Sequence, residues 1–142
     1  MAVKKSLATL IKLQKSYVDE QRRHVAQLQD RLEKIERDIA QLEIAKAREQ
    51  EAARDPAASH TYGEFVRRAV AQGRELEEMR RTAADAVAVA QDRLAALFEE
   101  QKRYEIAEKQ RIDDEAREAL RRENIELDEI GGVMHERRKD GG

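Results

Sequence analysis

The sequence predicts an all-α fold, an antiparallel two-helix coiled-coil hairpin whose second helix is longer and overhangs at the termini. Three observations predict it. The 142 residues are 41% charged and only 4% aromatic, with a mean hydropathy of −0.87, so little material exists for a globular interior. Apolar residues recur at two positions in seven, the narrow stripe of a coiled-coil seam rather than the broader face of a helix lying on a core. The chain's single proline sits near the middle, in DPAASHTYGEF (Asp55 to Phe65).

The first element follows from heptad phase. With Ile11, Val18, Val25, Leu32 and Ile39 at position a, Leu7, Leu28, Ile35 and Leu42 fall on d. Of the eleven seam positions between residues 7 and 42, nine are apolar; the others are Gln14 and Gln21. A helix from residue 4 to 54 would extend about 75 Å and bury nothing alone, so it requires a partner helix.

The turn is read from 55–61. Pro56 lacks the backbone donor and disfavours helical geometry at Asp55, which predicts a stop there. Thr61 followed by Glu64 has the form of a capping box, which would open the second helix at residue 62.

That second helix is expected over 62–130. Val66, Val87 and Leu94 take position a, with Gly73, Arg80 and Gln101 as weaker members, and Ala69, Leu76, Ala83, Ala90, Leu97 and Tyr104 take d. Small residues here, opposite bulky ones in the first helix, favour close approach of the two axes. A short connection makes the pair antiparallel, joining residues whose numbers sum to about 118. Beyond residue 115 the second helix would then have no partner, although it still carries Ala119, Leu120, Ile125, Leu127 and Ile130. Such a helix either binds something or frays. Gly131-Gly132 are expected to end it, leaving 131–142 as a disordered tail.

Function classes narrow by exclusion. The 28 basic and 30 acidic residues are interspersed, as on a solvated helix surface, and a net charge of −2 gives no general attraction to nucleic acid. No cysteine is present, which removes disulfides and thiolate metal sites. No run approaches the ~18 apolar residues of a membrane span, and MAVKKSLATLIKL does not have the form of a signal peptide, so a cytoplasmic location is expected. His24, His60 and His135 are far apart and read as solvated or seam-edge residues, with no metal-ligand spacing. No phosphate-binding glycine loop or nucleophile elbow occurs, and acid pairs such as Asp113-Asp114 lie on a helix that offers no dry pocket. No enzymatic activity, cofactor, metal or small-molecule substrate is expected.

Four pieces resemble a known family. LATLIKL (Leu7 to Leu13), a heptad helix of about fifty residues, YGEFV (Tyr62 to Val66) opening a longer second helix, and a Glu/Arg-rich end with ELDEI (Glu126 to Ile130) are similar to the FliJ family, the central stalk proteins of the flagellar type III export ATPase. The related stalks of virulence type III secretion share this architecture. The resemblance implies a two-helix coiled coil that is a monomer on its own and works in flagellum biogenesis and motility. Its paired ends would enter the channel of a hexameric export ATPase and promote its assembly or activity. Its hairpin end would reach a membrane-embedded export gate and export chaperones, associating the protein peripherally with the inner face of the cell membrane. On this chain the gate-binding face would comprise Leu42, Tyr62, Phe65, Ala69 and Leu76. The ATPase-facing end would comprise Lys4, Lys5, Leu7, Leu10, Lys12, Leu120, Leu127 and Ile130. Where the family can carry tyrosines at the tip, this chain has Ala45 and Glu49, which makes the apolar patch smaller.

Each assignment has a structural competitor. Tyr62 and Phe65 can staple the turn; Leu42, Ala69 and Leu76 are seam positions suited to internal packing; and the lysines, including Lys15, can simply be a solvated face. A generic cytoplasmic coiled-coil adaptor or chaperone, without ATPase coupling, is the alternative functional class, and a self-associating filament a weaker third.

Overall fold

The computed structural model describes residues 2–57 and 59–141, with side chains from residue 6 onward. Two helices, α1 (Ala2–Ala52) and α2 (Ser59–Asp140), pack against each other as an antiparallel hairpin, and no strand occurs among the described residues. The side chains of Lys4 and Lys5 lie outside the described ones.

The seam follows the heptad phase. Along α1 every a and d position from Leu7 to Leu42 is buried or half-buried, in steps of three and four, and the flanking positions are mostly exposed. Along α2 the same holds from Val66 to Tyr104, including the weak positions Gly73, Arg80 and Gln101. Bulky side chains of α1 do face small ones of α2: the buried apolar set joins Val18, Val25, Ile35 and Leu42 to Ala69, Leu76, Ala83, Val87 and Ala90. Each fully buried aliphatic side chain in such a seam is worth roughly 1.5–3 kcal/mol.

The reversal is tighter than the sequence predicts. α1 ends at Ala52 instead of residue 54, because the N–H groups of Arg54 and Asp55 bond three residues back, to Glu51 O and Ala52 O, at 3.2 Å each. The Asp55 carboxylate then accepts the N–H of Ala57 at 3.1 Å, an Asx turn that reverses the chain. The Ser59 hydroxyl donates to Pro56 O at 3.0 Å. α2 consequently starts at Ser59 rather than residue 62, and Thr61 lies within its first turn instead of capping it. The expected capping box is therefore corrected. With the turn centred nearer residue 57, paired residues such as Gln14 and Glu100 sum to about 114, not 118.

The carboxyl end differs too. α2 continues through Gly131-Gly132 to Asp140, neither glycine adopting a positive φ. Two interior glycines cost about 1 kcal/mol each relative to alanine. Arg137, Arg138 and Lys139 in the last turn oppose the negative end of the helix dipole and offset part of that cost.

Packing divides the chain into two units, Ser16–Phe98 and the combination of residues up to Lys15 with those from Glu99 onward. Among the described residues, all nine buried hydrophobic ones belong to the first.

Candidate functional site

At the tip of the hairpin, within Ser16–Phe98, Leu42, Ala69 and Leu76 form a buried cluster, with Ile39 and Phe65 packed against it as partly buried neighbours. Leu42, Ala69 and Leu76 thus serve internal packing, and what they show a partner is small. Tyr62 and Phe65 are half-buried, each keeping ring surface open, and Phe65 covers the last turn of the seam. Of the five predicted tip residues, these two can meet another molecule in the free chain. Ala45 is half-buried and Glu49 exposed, so no further aromatic surface extends the patch.

The second unit contains the amino end of α1 and the carboxyl end of α2. Leu7 and Ile11 are half-buried, while Leu10 and Lys12 are exposed. The one buried side chain among the described residues here is polar: Gln14, 5% exposed, whose amide donates to Glu100 Oε2 at 3.4 Å. Glu100 also accepts the Tyr104 hydroxyl at 3.0 Å, and the bond to this carboxylate raises the Tyr104 phenol pKa. Further on, Arg111 is held by Glu108 at 2.6 Å and lies 3.0 Å from Glu115 as an ion-pair contact. The hydrogen bonds to Glu108 raise its pKa above the usual guanidinium value.

From Ile112 to Gly141 every residue is exposed. Ile112, Leu120, Leu127, Ile130 and Met134 recur at spacings of eight, seven, three and four, which places them on one helix face. That face does not continue the hairpin seam. Stepping on from Tyr104 and Arg111 in heptad fashion leads to Glu115, Glu118 and Arg122, so the surface that α1 follows turns charged where the apolar stripe begins. Leu120, Leu127 and Ile130 thus share an exposed stripe, to which the structure adds Ile112 and Met134. Their helical spacing was the signal; the expected stop at Gly131 hid Met134.

Among the described residues no group of three His, Cys, Asp or Glu side chains comes together as a metal site. No helix among the described residues is long and apolar enough to cross a membrane. In comparison with known proteins, the chain matches no family model, no curated protein and no solved structure.

Proposed function

We propose that the protein is a non-enzymatic stalk of a type III export apparatus, of the flagellar or virulence kind, that presents its paired helix ends to a hexameric export ATPase. The observation that carries this reading is the exposed stripe from Ile112 to Met134 on a helix already released from the seam. Five large aliphatic side chains left in water form a contiguous surface that folding does not use, and burying each against a partner is worth roughly 1.5–3 kcal/mol. The resemblance in LATLIKL, YGEFV and ELDEI assigns the partner class. Leu7, Leu10 and Lys12 lie in the same unit as the stripe, with Lys4 and Lys5 belonging to the same end of α1. In this reading the half-exposed rings of Tyr62 and Phe65 contact the export gate or an escort chaperone, and the protein sits in the cytoplasm against the inner face of the cell membrane.

The test is a titration of the full chain into the candidate ATPase. A stalk changes ATP turnover at well under one chain per ATPase subunit, and Leu120→Asp combined with Leu127→Asp removes the effect while leaving the hairpin folded. Binding at equal ratios with unchanged turnover would instead make the protein an adaptor.

A further inference from the structure

From Gln21 to about Glu36 of α1 the two flanks of the hairpin in Ser16–Phe98 are unequal. On one, Arg22 lies over the Phe98 ring at 5.1 Å, and Arg80 is bonded to Glu77 at 2.6 Å with Glu36 close enough to raise its pKa further. These groups cover the edge of the seam with paired charge and an aromatic ring. On the other flank, over the same stretch, a groove runs between the helices from Gln21 to Ile35 of α1, about 20 Å at helical rise. Leu28 and Ile35 line it from α1, Ala83, Ala86 and Ala90 from α2. Along its α2 edge stand Met79 and Val89, 42% and 69% exposed.

The rims differ in charge. Arg31 edges the groove on α1, beside His24; Glu75, Glu78 and Asp85 edge it on α2, with Arg93 at one end. None of these five charged side chains makes an ion pair among the described residues, whereas Arg80 and Glu77 on the other flank are paired. Small side chains on the floor of the trough, between a cation on one rim and carboxylates on the other, let a third helix approach closely.

The geometry points to this groove as the docking site for an amphipathic helix of a partner protein, with an aliphatic stripe flanked by acidic residues on the side of Arg31 and basic residues on the side of Glu75, Glu78 and Asp85. The surface is distinct from the apolar stripe beyond Ile112 and from the rings at the tip, so it goes beyond the stalk reading and stands without it.

The probe is a synthetic helix of about 21 residues, six turns, with a Leu/Ala stripe, one flank of Glu and the other of Lys. Two companions have both flanks Lys or both Glu. Anisotropy with the full chain is expected to show the mixed peptide binding about tenfold more tightly than either companion, as charge matching at a rim predicts. Val89→Lys and Met79→Lys, at side chains that face water, should each weaken it about tenfold with the thermal melt unchanged. Arg31→Glu makes both rims acidic and should turn the all-Lys peptide into the best binder. Equal binding of the three peptides, or no response to Val89→Lys and Arg31→Glu, overturns the proposal. So does sedimentation showing that the chain alone dimerises and that Val89→Lys dissociates it, which would make a second copy the occupant. ATP turnover enters none of these measurements, so they separate the groove from the stalk reading.

Discussion

Gly73 occupies a seam position where the hairpin needs no glycine. A Cβ there would lie 3.6 Å from Leu42 Cδ2 and 3.9 Å from Lys46 Nζ, ordinary contact distances. Its φ is negative, so alanine meets no backbone strain. Gly73→Ala should therefore raise stability by about 0.5–1 kcal/mol, because glycine loses more backbone entropy on entering a helix; a higher denaturant midpoint with unchanged slope is the check. A second residue-scale prediction concerns Tyr104. Its phenol pKa is raised by the bond to Glu100, so the contribution of that bond is complete below the free tyrosine value and is lost as pH rises through the folded one. Glu100→Gln should lower the Tyr104 midpoint, read from the ring carbon in an NMR titration. Glu77 has the opposite sign: its carboxyl is held below the usual range by Arg80, and what the pair contributes disappears as pH falls through that lowered value.

For the elements, the polar seam positions decide specificity. Gln21 is half-buried on d, and its amide donates to the carbonyl of Ala90 at 3.0 Å. That bond satisfies a polar group placed in an apolar seam, so Gln21 favours the observed pairing at a cost in burial. Gln21→Leu should raise stability by about 1–2 kcal/mol while loosening register, seen as a higher melting point together with self-associated species in sedimentation. The seam itself was legible in the sequence because heptad spacing is a local property: the phase through Val18, Val25 and Leu32 predicts the burial of every member from Leu7 to Leu42. The boundaries were less so. The Asx turn at Asp55 depends on backbone geometry that Thr-x-x-Glu at Thr61 imitates, and the Gly131-Gly132 stop rests on a propensity too small to end a long helix. The groove beside Leu28 was not legible, since what leaves one flank open is the cover on the other, Arg22 over Phe98, residues far apart in sequence that only the pairing of the two helices brings together.

Across the whole molecule, cohesion is distributed unevenly. Among the described residues, every buried hydrophobic side chain lies within Ser16–Phe98. In the unit made by residues up to Lys15 and from Glu99 onward, pairing rests on half-buried Leu7 and Ile11 and on the hydrogen bond from Gln14 to Glu100, whose carboxylate is steadied by Tyr104 on the same helix. Bonds of this kind contribute only about 0.5–1.5 kcal/mol net each, because open helices recover much of that from water. Local opening follows buried apolar contact, so the two units should differ in hydrogen exchange. Amides of residues 6–13 and 101–111 are expected to exchange about 100-fold faster than those of residues 25–42 and 69–90, and those beyond Ile112 faster still, as for a helix without a partner. Gln14→Leu gives the terminal pairing an aliphatic knob and should slow exchange of residues 6–13 about tenfold while leaving residues 25–42 unchanged. Equal protection along both helices would mean that the hairpin opens as one cooperative body. A difference that Gln14→Leu narrows would mean that the ends are free to rearrange around a partner while the apolar seam stays closed.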